Sequence, residues 1–206
     1  MSVEIIEHNH EHTYLLNQLK VNPEVMNAWY FEDAVFSPEE CEAIIELAHQ
    51  KSMIAGNLSG TDMSGDELKQ IRDVQNCGLY PNDDTRWIFD RIGQTIINAN
   101  NSAYHFDIIG MKEGLQFLHY EEGGHYNWHK DVGPLNSTRK LSAVVQLTDP
   151  ETYSGCDTEL EGGIYMAKHR GAITVFPSFL EHRVLPHTGG APREALAVWV
   201  FGPPMR

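Results

Sequence analysis

The sequence predicts a mainly β fold, a sandwich or barrel supported by two preceding helices. Three observations lead there. After about residue 103, short runs rich in β-branched and aromatic residues alternate with turns: Leu115–Tyr120, Leu141–Leu147, Ala172–Phe176 and Ala195–Phe201. Between them stand Gly123-Gly124, Gly133-Pro134, Asp149-Pro150, Gly162-Gly163 and Gly189-Gly190. Many short strands with Gly/Pro punctuation are characteristic of sandwiches and barrels. Before residue 103 the apolar residues recur with helical spacing instead.

Each element follows from local chemistry. His8, His10 and His12 alternate in an acidic N-terminal stretch, which reads as a solvated tail or an early strand; adventitious metal binding is the alternative. Ser37-Pro38-Glu39-Glu40 is a helix start: Ser37 caps, Pro38 suits the first turn, and Glu40 completes a capping box. Cys41, Ile44, Ile45 and Ala48 then share one helical face. Residues 52–66, with Gly56, Gly60 and Gly65, read as a mobile loop, and this loop and segment 74–81 either cover a substrate or are ordinary surface loop. A second helix is expected over Asp84–Ala99, with Ile88, Ile92, Ile96 and Ala99 on its apolar face.

Composition narrows the function. The 206 residues are enough for a buried core, and 41% hydrophobic content is globular. The net charge is −14, and the densest basic stretch is only Lys168-His169-Arg170, so a nucleic-acid partner is disfavoured. No window approaches the roughly 18 apolar residues of a membrane helix, so no membrane partner is expected. Met1–His12 has no apolar stretch typical of a secretory signal, and cytoplasmic residence is the expectation. Cys41, Cys77 and Cys156 form no CxxC pair and read as three reduced thiols.

The histidines carry the chemistry. An iron(II) site open to oxygen needs only two imidazoles and one carboxylate on one face. A His and a carboxylate two residues apart on a strand point to the same side. Three such pairs occur: His105–Asp107, His119–Glu121 and His129–Asp131. His129–Asp131 follows the strand Leu115–Tyr120 and the turn Glu121–Gly124. A third ligand is available in His182, which follows the strand Ala172–Phe176 and the turn Pro177–Phe179. Beyond it a turn region, Pro186 to Pro192, leads to Arg193, which shares a strand face with Ala195, Ala197 and Trp199. Small alanines beside an arginine leave room for a bound carboxylate, gripped bidentately. His105–Asp107 lacks a histidine at the matching downstream distance. His119–Glu121 has His169 downstream but no arginine about ten residues further. His105 therefore reads as structural, and His119 as facing away from Leu118 and Tyr120.

The stretches Tyr120-Glu-Glu-Gly-Gly-His-Tyr126-Asn-Trp-His129-Lys-Asp131, Phe176-Pro-Ser-Phe-Leu-Glu-His182-Arg-Val184 and Arg193-Glu-Ala-Leu-Ala-Val-Trp199 together resemble the prolyl 4-hydroxylase-like branch of the Fe(II)/2-oxoglutarate dioxygenases. The chain is similar to bacterial PKHD-type hydroxylases and to the HIF prolyl hydroxylases over roughly residues 30–202. The resemblance implies a double-stranded β-helix (jelly roll) supported by the N-terminal helices, as a single domain over 31–206 behind an N-terminal extension over 1–30. It implies a metal triad of His129, Asp131 and His182, with Arg193 as the anchor of the distal 2-oxoglutarate carboxylate and Tyr120 near the cosubstrate. Tyr126 lines the same pocket or packs the core, and Trp199 walls the metal site or packs. Where many prolyl hydroxylases carry a tyrosine on the strand after the His-x-Asp turn, this chain has Gln146, which can donate a hydrogen bond. The family's Gly-Gly-Glu signature is replaced by Gly155-Cys156-Asp157-Thr158-Glu159.

The implied cofactors are Fe(II), 2-oxoglutarate as cosubstrate, O2 and, as a candidate reductant, ascorbate. The implied reaction is hydroxylation of a C–H bond with decarboxylation of 2-oxoglutarate to succinate and CO2. A prolyl residue in a peptide or protein is the leading substrate, with small molecules open. A cupin-like metalloprotein with another reaction and a non-catalytic jelly-roll binding module are the alternatives.

Overall fold

The computed structural model describes residues 29–58, 63 and 65–204. His8, His10, His12 and most of the expected N-terminal extension lie outside the described residues.

The first helix spans Pro38–His49. Ser37 Oγ accepts from the Glu40 backbone N–H, and the Glu40 carboxylate accepts from the Ser37 N–H, the reciprocal capping box read from the sequence. The long helix spans Arg86–Ala99 and buries Ile88, Ile92, Ile96 and Ala99, the four residues of its apolar face. It runs into a single π-turn over Asn100–Tyr104, closed by His105 in the left-handed region (φ 55°). The Asn100 side chain bonds the Phe106 backbone through both its oxygen and its nitrogen, which holds this exit. His105 thus has a backbone role.

Among the described residues the strands form two main sheets. The seven-stranded sheet runs Tyr30–Glu32, Ile173–Pro177, Arg139–Gln146, Arg193–Phe201, Leu115–Tyr120, Gln75–Leu79 and Ile54–Ala55 in order. The five-stranded sheet runs Ile164–Tyr165, Thr158–Leu160, His182–Val184, His125–His129 and Arg72–Asp73. A small ribbon pairs His187–Gly190 with Tyr153–Gly155. All pairings are antiparallel. The result is the jelly roll, with both helices on the outer face of the larger sheet.

The alternation of the larger sheet assigns its two faces. Phe117, Ala143, Val145, Leu196, Val198 and Val200 look outward and join Ile44, Ile88, Ile92 and Ile96 in the main core. Leu118, Tyr120, Ser142, Val144, Arg193, Ala197 and Trp199 look inward toward the smaller sheet.

The structure corrects three sequence expectations. Segment 52–66 is not one loop: Ile54–Ala55 is an edge strand, and a short helix begins at Gly65. Segment 74–81 is no cover, because Gln75–Leu79 is an interior strand with Asn76, Cys77 and Leu79 buried. Pro186–Pro192 contains the strand His187–Gly190 rather than only turns. Each of these strands is short or rich in Gly and polar residues, so the period-two signal is too weak to read.

All three cysteines are free and buried. Burial pushes the Cys41 thiol up to about 11, the Arg170 charge opposing this.

Ile92 is fully buried and Ile97 is about half exposed on the same helix. Ile92→Ala is expected to cost about 2–5 kcal/mol and Ile97→Ala less than about 1 kcal/mol in urea denaturation. Equal losses would contradict the assigned helix face.

Candidate active site

His129 ends the strand His125–His129 and His182 opens the strand His182–Val184; the two are direct cross-strand partners. The strand carrying His129 was not anticipated between the Gly-containing turn and the motif. Asp131 follows two residues on, where its backbone N–H donates to the Ser178 carbonyl at 3.1 Å. The three side chains converge. His129 Nε2 lies 3.9 Å from Asp131 Oδ1, and His182 Nε2 lies 3.6 Å from Asp131 Oδ2. The ligand-type atoms all fall within 4.8 Å of one another.

The tautomers are fixed by backbone. A carbonyl can only accept, so His129 Nδ1–H donates to the Asn127 carbonyl (2.8 Å) and His182 Nδ1–H to the Leu180 carbonyl (3.1 Å). Both Nε2 lone pairs are thereby turned to the centre of the cluster. Burial, reinforced by the nearby His182, holds the His129 pKa well below the usual histidine range. A neutral imidazole is the form that binds metal. Burial alone would raise the Asp131 carboxyl, but the two imidazoles and hydrogen bonds from Ser142 and Trp199 keep it below the ordinary carboxylate range. Ser142 Oγ donates to Asp131 Oδ2 at 2.6 Å and contacts Ser178 Oγ at 2.9 Å.

These groups line a cavity of about 440 Å³ between the two sheets. At its inner end Arg193 is 1% exposed. Its Nε donates to Gln146 Oε1 and its Nη2 to Thr158 Oγ1, each at 3.2 Å, and its guanidinium lies 5.4 Å from the Tyr120 ring centre. Among the described residues no carboxylate pairs with it. Tyr120 is fully enclosed, and burial raises its phenol to about 12, with Arg193 opposing, so it is a neutral donor. Tyr126 stacks on the His129 ring (centroids 3.5 Å apart) and Trp199 lies under the Arg139 guanidinium at 4.0 Å.

The cavity thus gathers His129, Asp131, His182, Arg193, Tyr120, Tyr126 and Trp199. Gln146 does not line it; its side chain bonds Arg193 instead. Several residues escaped sequence reading. Ser142 anchors Asp131. Arg72 lies 4.7 Å from the Tyr126 ring centre and donates to Asn57 O and Gln116 Oε1. Arg139 donates to Asp131 O. Thr158 belongs to the segment that departs from the Gly-Gly-Glu signature, and the neighbouring Glu159 pairs with Arg183 at 2.7 Å. None of these has a local motif; only the cross-strand register brings them together. His119 faces the opposite side of its strand, where it meets Glu194.

Residues 115–201 match the model of the 2OG-Fe(II) oxygenase superfamily. A PKHD-type hydroxylase of Acidovorax ebreus is 32% identical over 123 residues, covering 53% of this chain and 54% of the relative. The chain thus spans about half the length of that relative. The PKHD-type hydroxylase YbiX of Escherichia coli is 27% identical over 186 residues, covering 83% of this chain and 77% of the relative. Among solved structures, a Trichoplax adhaerens prolyl hydroxylase in complex with a hypoxia inducible factor oxygen degradation domain peptide fragment superimposes with a TM-score of 0.69 at 15% identity. That alignment covers 98% of this chain and 94% of the other.

Ser142→Ala removes the hydroxyl that orients Asp131. It is expected to weaken Mn2+ affinity about 10-fold or more in calorimetry under anaerobic conditions, while the fold persists by circular dichroism. Unchanged affinity would show that Asp131 needs no such anchor.

Proposed function

We propose, on the premise that this chain belongs to the prolyl 4-hydroxylase-like branch of the 2OG-Fe(II) oxygenase superfamily, that it is a dioxygenase-type hydroxylase acting on a prolyl residue of a peptide or protein. The observation that carries the reading is a metal-type triad and an enclosed arginine, without a carboxylate partner among the described residues, facing one cavity.

The residues fit the family's requirements. Two imidazole nitrogens and one carboxylate suit Fe(II) and leave positions open for other ligands. A buried guanidinium costs several kcal/mol unless an anion joins it. Arg193 at the closed end of the cavity suits the distal carboxylate of a dicarboxylic keto acid such as 2-oxoglutarate. When bound, Fe(II) and 2-oxoglutarate supply the oxidising power by which one atom of O2 enters a C–H bond while the cosubstrate becomes succinate and CO2.

The chain's own residues do the rest. His129, Asp131 and His182 would hold the metal, with Ser142 fixing the carboxylate. Arg193, oriented by Gln146 and Thr158, would bind the cosubstrate carboxylate, with the neutral Tyr120 phenol as a second donor beside it. Tyr126 and Trp199 would exclude water from the metal side. Trp128, 44% exposed with Arg183 4.7 Å from its ring, and the exposed Leu135 offer apolar surface near the cavity for a peptide. A relative solved with a peptide bound in the same fold supports that substrate class.

Succinate formation with Fe(II), ascorbate and 2-oxoglutarate tests the class, and a +16 Da shift (one oxygen atom) on proline-containing peptides tests the substrate. A cupin-type reaction or a mere binding module yields no succinate. His129→Ala and Asp131→Ala are expected to abolish substrate-independent 2-oxoglutarate turnover and iron retention; full iron occupancy and turnover in both would overturn the assignment. Arg193→Ala is expected to raise the 2-oxoglutarate requirement far more than the iron requirement. Equal effects on both would make Arg193 structural.

A further inference from the structure

The outer face of the larger sheet carries a second cluster of metal-type donors. His119 and Glu194 are direct cross-strand partners, one register step from the inward-facing pair Tyr120 and Arg193. His49, in the last turn of the helix Pro38–His49, reaches the same point. His49 Nε2 lies 2.6 Å and His119 Nδ1 2.9 Å from the same oxygen, Glu194 Oε1. The ligand-type atoms of all three residues fall within 4.8 Å of one another. Glu194 is largely enclosed (side chain 9% exposed), His119 less so (16%), and His49 is half exposed.

We infer that His49, His119 and Glu194 form a divalent-cation site of the zinc class, separate from the cavity between the sheets. The donor set is right: two imidazoles and one carboxylate from three separate elements suit zinc and its first-row neighbours. The surroundings of His119 are right as well. With Nδ1 toward the cluster, its Nε2 lies 3.7 Å from Glu121 Oε1. A metal-binding imidazole characteristically gives its other N–H to a carboxylate, and the exposed Glu121 stands on that side at ion-pair rather than hydrogen-bond distance. Glu194 is held through its backbone, whose N–H donates to Thr148 Oγ1 at 2.7 Å and whose carbonyl accepts from Leu147 and Thr148.

The competing reading is a hydrogen-bonded strut in which both imidazoles donate to one carboxylate oxygen. The nitrogen–oxygen separations are those of such bonds. Tetrahedral zinc at ordinary bond lengths spaces its ligand atoms roughly 3.3 Å apart. The two imidazoles must therefore retreat by roughly 0.5 Å. The half-exposed His49 has room to do so. A cation takes the place of the two shared protons and ties the helix to the strands that present Tyr120 and Arg193 to the cavity.

The test uses the full chain carrying Asp131→Ala, which removes the cavity triad as a competing site and makes the result independent of the proposed oxygenase activity. Zinc binding is measured by calorimetry and by elemental analysis after desalting. One tightly bound equivalent is expected, together with a raised melting temperature. Adding His49→Ala or His119→Ala is expected to remove both the equivalent and the thermal shift. Glu194→Gln, nearly isosteric, is expected to do the same while circular dichroism shows the fold intact. Two outcomes overturn the inference. One is the absence of any stoichiometric zinc in the Asp131→Ala chain. The other is an equivalent that survives His49→Ala and His119→Ala but disappears when His8, His10 and His12 are replaced together.

Discussion

The two-residue alternation of the paired strands Leu115–Tyr120 and Arg193–Phe201 decides which groups face the cavity and which face the helices. At one step of this pairing Tyr120 and Arg193 face the space between the sheets; at the next, His119 and Glu194 face the helices. A slip of one residue would exchange the faces, placing a guanidinium in the helix-packed core and Leu196, Val198 and Val200 in the cavity. The helices Pro38–His49 and Arg86–Ala99 oppose that slip, because their buried isoleucines need the apolar face of the sheet. Packing on one face thus sets the chemistry on the other, with no functional residue taking part in the main core.

The cavity pairs two electrostatic environments. At the metal end, the Asp131 carboxylate and two imidazole Nε2 atoms turned to one point favour a cation. At the other end, Arg193 is enclosed with only neutral partners among the described residues, Gln146, Thr158 and the Tyr120 ring. These orient the guanidinium without cancelling its charge. A molecule with a carboxylate at one end and metal-binding oxygens at the other satisfies both ends at once. Neither end alone would select such a ligand. Among the described residues, the lack of a carboxylate at Arg193 therefore matters as much as the residues present.

Much of this was legible in the chain, for identifiable reasons. The capping box at Ser37 and the isoleucine face from Ile88 to Ile96 are strong local signals, and the helices stand within two residues of expectation. The long strands, rich in Val, Ile and aromatics, were legible too. Short strands were not: His125–His129 and His187–Gly190 contain His, Asn and Gly, whose preferences argue against a strand, and only pairing with neighbours makes them one. The spacing of His129, Asp131, His182 and Arg193 could be read because those residues carry chemistry in their identity. Ser142, Thr158 and Arg72 could not, because a serine or threonine gains meaning only from the side chain across the sheet. Gln146, expected beside the cosubstrate, accepts from Arg193 Nε at 3.2 Å, a partner that only the pairing of their strands reveals.

His119–Glu121 was set aside as the iron-binding pair because, although His169 follows it, no arginine stands about ten residues further. The structure agrees, since His119 faces away from the cavity and meets His49 and Glu194 through Glu194 Oε1. Its partners arrive from a helix 70 residues upstream and from a strand 75 residues downstream, and neither offset belongs to the triad pattern. Both clusters contain two histidines and one carboxylate, yet their geometry differs in kind. In the cavity the carboxylate presents a different oxygen to each imidazole at 3.6–3.9 Å, leaving space between them beside an open chamber. On the outer face one oxygen meets both imidazoles at 2.6–2.9 Å beneath the end of a helix. The first arrangement leaves positions free for other ligands, as chemistry requires; the second is compact and suits a role in holding elements together.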